Sequence, residues 1–143
     1  MRYFLISAVF LCGSIPVLGL AAGPTKAPKA GQVYFISPAH GETVANPVTV
    51  RFGLTGMGVA PAGVDKPNTG HHHLLIDTDL PSGEDLDFSL PADASHVHFG
   101  GGQTETEIVL SPGTHTLQLL LGDKDHIPHA IPVASEKITI IVE

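Results

Sequence analysis

The segment that decides the fold reads THTLQLLL and runs from Thr114 to Leu121. Alternate side chains of a strand point to opposite faces, so Leu117, Leu119 and Leu121 share one face and Gln118 lies on the other. A similar apolar stripe lies near the end of the chain, at Ile138, Ile140 and Val142. Strands that each bury one face predict two packed antiparallel sheets.

Short runs rich in Val, Ile, Thr and Leu continue this pattern along the chain, and turns rich in Gly, Pro, Asn and Asp separate most of them. The predicted strands are Val33–Ile36, Val48–Leu54, His72–Asp77, Ser95–Phe99, Thr106–Leu110, Thr114–Leu121 and Lys137–Val142. No window shows sustained helical periodicity. We therefore expect an all-β fold, an immunoglobulin-like antiparallel β-sandwich of about seven short strands. The chain lacks the cysteine pair and the tryptophan of many such domains.

The N-terminus is typical of an exported protein. Arg2 precedes an apolar stretch from Tyr3 to Leu20, and the small residues Gly19 and Ala21 suit a leader peptidase. We predict a signal peptide over residues 1–22, a flexible lead-in over 23–31 and a single domain over 32–143. A retained N-terminal anchor is the alternative, but Gly13 and Pro16 argue against it. The predicted location is the periplasm or the exterior, with no membrane span after cleavage.

Charge and cysteine content exclude several classes of function. The chain has 7 Lys and Arg against 14 Asp and Glu, a formal net charge of −7, which repels phosphate backbones. Nucleic acid is therefore not an expected partner. The single cysteine, Cys12, would leave with the signal peptide, so disulfides, thiolate ligands and a cysteine nucleophile are not expected.

Nine histidines remain to be explained, and most of them fall into three groups. These are HHH at 71–73, HVH at 96–98 and HIPH at 126–129. Imidazole is the commonest transition-metal ligand among side chains, so such clusters indicate metal binding first and a pH switch second. His40 and His115 lie outside the clusters and are interpreted as structural or exposed.

Strand geometry indicates which histidines could share an ion. Side chains two residues apart lie on one face about 6 to 7 Å apart, so His71 pairs with His73 and His96 pairs with His98. Two such pairs on neighbouring strands would make a site of three or four nitrogens, and the glycines at 100–102 would let the backbone approach it closely. We predict His71, His73, His96 and His98 as ligands, with His126 and His129 as further candidates. His72 would face away, bonded to a backbone carbonyl.

The donor set limits the choice of metal. Without thiolates, an imidazole set suits Cu(II), Zn(II) or Ni(II), with copper highest in the affinity order and zinc as the alternative. Met57 could assist Cu(I). Asp79 and Asp85 lie in or beside a long connection and could contribute, although their acidic stretch is interpreted mainly as a solvated surface.

Four ordered motifs carry a resemblance to a known family. They are HHHLLID (71–77), HVHFGGGQTE (96–105), PGTHTLQL (112–119) and DHIPH (125–129). Together they resemble the family of domain of unknown function 4399, over nearly the whole chain after Gln32. The resemblance implies a small exported bacterial domain in which these motifs are a family feature.

A weaker resemblance concerns the fold alone. The stretch SPAHGETV (37–44) followed by PVTVRF (47–52) is similar to the opening of periplasmic copper-resistance sandwiches and other bacterial immunoglobulin-like domains. The N-terminal histidine ligand of those copper proteins has no counterpart here, so their mechanism is not implied.

Three functions are compatible with these observations. The leading hypothesis is a periplasmic metal-binding protein, holding copper for storage or delivery. The alternative is a non-metal binding module of the cell envelope, with histidines in structural hydrogen bonds and an envelope protein as partner. An enzyme comes third, because no carboxylate or nucleophile is placed by spacing to act as a general base.

Overall fold

A computed structural model describes residues 23–143, so the predicted signal peptide over 1–22 lies outside the described residues. Nine strands and one short 3-10 helix, Gly83–Asp87, make up this part of the chain. The strands are β1 (Gln32–Ser37), β2 (Thr43–Val44), β3 (Val48–Thr55), β4 (Gly58–Val59), β5 (Thr69–Ile76), β6 (His96–His98), β7 (Glu105–Ile108), β8 (Gly113–Gly122) and β9 (Ile138–Val142).

The strands form two sheets. One has three strands in the order β1-β3-β7, all antiparallel. The other has the order β2-β9-β8-β5-β4, and β6 also pairs directly with β5, at residues different from those that pair with β4. Its long pairings are antiparallel, whereas the two-residue strands β2 and β4 pair in parallel.

The main core lies between the two sheets. Val48, Val50 and Phe52 of β3 meet Leu117 and Leu119 of β8 in one buried cluster. The β9 stripe joins the same cluster, at Ile138, Ile140 and Val142. Burial of these apolar side chains from both sheets is what holds the sandwich together.

All seven predicted strands are present, with ends that differ by a few residues, and the predicted all-β sandwich is confirmed. The immunoglobulin-like assignment stays a prediction. The sequence did not indicate β2 and β4, because a two-residue strand is too short to show alternation. Among residues 23–143, no helix is long and apolar enough to cross a membrane.

The segment before β1 contacts the domain near its C-terminal half. The Thr25 side chain lies 2.9 Å from His129, and the Ala130 amide donates to the Thr25 carbonyl. Ala27 packs against the main core. These contacts bring residues 23–31 alongside the loop that follows β8.

Strand β5 has two buried faces, and this arrangement places the histidines. Leu74 and Ile76 point into the main core together with His72, which packs on Phe52 with ring centroids 4.7 Å apart. His71, His73 and Leu75 point to the other face. There Leu75 joins Leu90 and Leu120 in a smaller apolar cluster beneath the connecting loops.

Candidate metal centre

Four histidines converge on the outer face of the larger sheet: His71, His73, His98 and His126. Each offers one ring nitrogen, and these four atoms all lie within 4.8 Å of one another. Adjacent ring centroids are 4.5 to 5.1 Å apart, and His73 and His126 are 6.0 Å apart. The group is compact enough for its nitrogens to share one ion.

Strand pairing supplies three of the four imidazoles. His71 and His73 share a face because they lie two residues apart on β5. His98 of β6 lies directly opposite His73 in the antiparallel register, and their rings stack 5.1 Å apart. The register of β5 and β6 therefore fixes these three rings on a rigid sheet.

The fourth imidazole comes from the loop after β8. His126 adopts a left-handed backbone conformation with φ of 66°, and its Nδ1 lies 3.1 Å from Nε2 of His71. The buried carboxylate of Asp123 holds the loop, because its Oδ1 accepts the backbone N–H of Asp125 at 2.9 Å and of Ile127 at 3.1 Å. This turn directs His126 back towards the sheet.

Two glycines make room for the rings. A Cβ on Gly122 would lie 2.6 Å from Cε1 of His73 and 3.4 Å from Cα of His126. A Cβ on Gly100 would lie 2.7 Å from Nε2 of His98. Carbon atoms in contact are normally about 3.5 to 4.0 Å apart, so neither position has space for a larger residue beside an unmoved ring. The predicted close approach of the backbone in the 100–102 segment is found at Gly100.

Burial keeps the inner imidazoles neutral. His71 and His73 are 0% and 1% exposed. Burial, reinforced by repulsion from neighbouring imidazoles of the group, lowers the pKa of His71 to about 4 and that of His73 to about 3. Burial also lowers the pKa of His98, and His126 adds to the shift. Neutral imidazoles carry the free lone pair that a metal ion requires.

Several ring nitrogens of this group lack hydrogen-bond partners. Nδ1 of His71, Nδ1 of His73 and Nε2 of His98 are buried and make no hydrogen bond to any of residues 23–143. Buried polar atoms are almost always paired, and each exception calls for an explanation such as an ion. A set of four neutral nitrogen donors fits a tetrahedral transition-metal site. The group could therefore hold a metal ion.

The other two candidate ligands lie outside this group. His96 places Nδ1 2.9 Å from the carboxylate of Asp93. His129 is buried, with Nδ1 2.9 Å from the hydroxyl of Thr25. The structure thus brings together both histidines of the predicted pair on β5, only His98 of the predicted pair on β6, and His126 of the loop.

The other side chains singled out in the sequence have different surroundings. Met57 packs against the main core, and Asp79 pairs with Lys137. Asp85 belongs to the 3-10 helix. None of the three is in the four-histidine group.

The remaining histidines have structural surroundings. Nδ1 of His40 accepts the backbone N–H of Thr139 at 3.1 Å, and His115 lies between the Asp77 carboxylate and the Ser111 carbonyl. Neither ring nitrogen of His72 reaches full hydrogen-bond geometry within residues 23–143, but the backbone of Gly53 and Gln103 lies close enough to oppose the fall in the pKa of this ring. The predicted carbonyl bond is therefore present only as a loose backbone contact. That ring fills a core position, where it contacts Phe52.

Two carboxylates near the histidines were not singled out from the sequence. Asp123 organises the His126 loop, and Asp93 orients His96. Asp and Asn commonly accept backbone N–H groups two residues ahead, so GDKDH at 122–126 carries a local signal for the Asp123 turn. Nothing in the sequence indicates that Asp93 would reach His96 across a turn.

Comparison with protein families matches residues 50–143 to the family described as Domain of unknown function (DUF4399). The chain belongs to this family. The DUF4399 match begins within β3 and includes all four clustered histidines. It confirms the family that the sequence motifs indicated, over a shorter stretch than the one expected after Gln32. No curated protein and no solved structure matches the chain at a significant level.

Proposed function

We propose that this protein binds one transition-metal ion through His71, His73, His98 and His126, and that it stores or delivers that ion in the periplasm. Copper is the proposed ion and zinc the alternative. Export rests on the predicted signal peptide over residues 1–22, and an envelope protein would be the donor or acceptor of the ion.

One observation carries the proposal. Three buried ring nitrogens without hydrogen-bond partners in the described chain, on His71, His73 and His98, belong to one cluster of four imidazoles. Leaving a buried polar atom unpaired costs about 1 to 3 kcal/mol. An ion takes one nitrogen of each ring, so an ion bound through Nε2 of His71, the atom beside His126, would leave Nδ1 of His71 unpaired but could satisfy the nitrogens of His73 and His98. This favours a metal site over a purely structural arrangement.

The donor set supports holding an ion rather than catalysis on it. Four protein ligands complete a tetrahedral shell, whereas catalytic zinc sites keep one position open for water or substrate. All four donors are imidazoles, which suit copper and zinc, and copper binds most tightly in the divalent series. The only cysteine is Cys12, so a thiolate from residues 23–143 would not compete for the ion.

The alternative, a module with structural histidines, describes other parts of the chain better than this cluster. His40, His96 and His115 each have a hydrogen-bond partner that accounts for a ring nitrogen. The clustered rings contain one such contact, between His71 and His126. A metal ion would replace that contact with two bonds.

Titration of the purified protein with Cu(II), Cu(I) and Zn(II) against a chromophoric chelator tests the proposal. We expect one ion per chain, bound with sub-micromolar affinity, and loss of that binding in His98→Ala and His126→Ala. His40→Ala is the matched control, because that histidine lies outside the group, and it should bind as the wild type does. Failure of the wild type to bind either metal would remove the proposal.

Thermal unfolding separates the two hypotheses by a second route. An ion that binds only the native state at 100 times its dissociation constant adds about 2.7 kcal/mol, or roughly 10 °C in the melting temperature of a domain this size. We expect a strong chelator to lower the melting temperature of the wild type by this amount and to leave that of His98→Ala unchanged. Equal melting temperatures with and without chelator would favour the non-metal module.

A further inference from the structure

We propose that His96 and Asp93 form an outer metal position through which the ion passes between the surface and the four-histidine group. The inference rests on the metal site proposed above and adds a route to it. The outer position is defined as the His96 imidazole together with the Asp93 carboxylate that orients it.

The orientation of His96 is that of a metal ligand. Its Nδ1 lies 2.9 Å from Oδ1 of Asp93, and the same oxygen accepts the backbone N–H of Ser95 at 2.8 Å. A neutral imidazole that donates Nδ1–H to a carboxylate carries its lone pair on Nε2. Metal-binding histidines are commonly fixed in this way by a carboxylate on the second nitrogen.

The position of His96 places it one step from the buried group. His96 and His98 share one face of β6, about 6 to 7 Å apart along the strand. His98 is paired with His73, and His96 is paired with Leu75 at the edge of the same face. An ion held by His96 could therefore be passed to His98 without crossing a strand.

Exposure distinguishes the outer position from His71 and His73, but not from His98 and His126, which are themselves partly exposed. The His96 side chain is 18% exposed, whereas His71 and His73 are 0% and 1% exposed. His71 and His73 cannot meet a hydrated ion directly from solvent, so an ion must reach them past a partly exposed ring. His96, one step from His98 along β6, would be the first ring on that path and would let the ion exchange its water ligands one at a time.

A cavity of about 400 Å³ leads to His96 from the surface. Its wall is largely apolar, with Leu80 and Phe88 among the lining residues, and the polar side chains of Ser82, Asp85 and Ser89 give a cation oxygen ligands on the way to His96. The wall of this cavity is tied to the ligand loop, because the Leu90 amide donates to the His126 carbonyl at 2.9 Å and the Ser89 hydroxyl donates to the Asp125 carbonyl at 2.7 Å. None of the four clustered histidines lines the cavity, but its wall thus contacts the loop that carries His126.

A transit position has a distinctive kinetic signature. It lowers the barrier for uptake and for release by the same amount, so it changes both rates and leaves the dissociation constant unchanged. A resident ligand behaves differently, since its removal weakens equilibrium binding. Comparison of rates with affinity therefore separates His96 from the four clustered histidines.

The test is stopped-flow uptake of Cu(II), and release of Cu(II) to excess EDTA, for the wild type, His96→Ala, Asp93→Ala and Asp93→Asn. We expect His96→Ala to slow uptake and release alike by about tenfold, with the dissociation constant within about twofold of the wild type. Asp93→Ala should slow both rates, and Asp93→Asn should restore much of the loss because it keeps an acceptor for Nδ1–H. His40→Ala should leave both rates unchanged.

Unchanged rates in His96→Ala would overturn the outer position while leaving the proposed metal site intact. Loss of stoichiometric binding in His96→Ala, as expected for His98→Ala, would also overturn it, because His96 would then be a resident ligand. A wild-type protein that takes up no metal would contradict the proposed function itself. The Tm of each variant with EDTA present checks that the fold is retained.

Discussion

Substitution of Gly122 by alanine tests the geometry of the proposed site with one added methyl group. The new Cβ would lie 2.6 Å from Cε1 of His73, about 1 Å closer than carbon atoms normally approach. It would also lie 3.4 Å from Cα of His126. One substitution thus pushes on two of the four proposed ligands.

The expected magnitude follows from these distances. Relief of the clash needs a ring displacement of about 1 Å, whereas metal–ligand distances tolerate about 0.2 Å. We expect the affinity for metal to fall about 10- to 100-fold, the range found when groups supporting a ligand are removed. Overpacking should also lower the stability of the metal-free protein by about 1 to 3 kcal/mol.

Competition titration gives the affinity, and urea unfolding in EDTA gives the stability of the metal-free protein. Gly58→Ala is the matched control, because Gly58 also lies in a strand and its added Cβ would meet only the end of the Thr69 side chain, at 3.3 Å. Gly100→Ala, which crowds His98, should weaken binding as Gly122→Ala does. Wild-type affinity in both crowded variants would refute the assignment of the ligands.

Three further predictions concern titrating groups and the ligand loop. Burial lowers the pKa of His72 from 6.5 to about 4, so the unfolded state binds the extra proton between these values and stability falls as pH drops through them. The free energy of unfolding of the metal-free protein can be followed against pH by urea titration in EDTA. His72→Leu should reduce its change by up to about 1.4 kcal/mol per pH unit between pH 4 and 6.5, and an unchanged pH dependence would contradict this. The Asp77 carboxylate raises the pKa of His115. Partial burial would raise the pKa of Asp77 in turn, but hydrogen bonds from His115 and Thr116 outweigh it and lower that pKa. The ion pair therefore stabilises the fold most near pH 5, and less above the raised pKa of His115 or below pH 3.8. Asp77→Asn should lower the free energy of unfolding by about 0.5 to 1 kcal/mol at pH 5, after solvent screening, and by less at pH 9. A cost that is equal at both pH values would argue against the ion pair. Asp123→Ala removes the acceptor of two backbone N–H groups and should cost roughly 1 to 3 kcal/mol and weaken metal binding, whereas Asp123→Asn should retain most of both; equal losses in the two variants would refute the role of the turn.

Alternation in the sequence was sufficient to predict the sandwich. Leu117, Leu119 and the β9 stripe occupy the inner faces as expected, because a period of two places alternate residues on one side. The same rule placed His71 and His73 together. It does not show which strands become neighbours, so the pairing of β5 with β6 was a hypothesis until the register was known.

The remainder of the site depends on contacts that spacing does not determine. His96 obeys the same rule as His98 but is paired with Asp93 at the edge of the face, outside the cluster. His126 reaches the group because an irregular loop turns back under the control of Asp123, and such a path has no periodic signal. The backbone of Gly53 and Gln103 does lie beside the His72 ring, but alternation could not indicate that this ring would also pack on Phe52 between the sheets.

X-ray absorption at the metal edge of the loaded protein tests the central claim most directly. Four imidazole nitrogens at about 2.0 Å from the ion are predicted. A first coordination shell made mainly of water or carboxylate oxygen would contradict the four-histidine site.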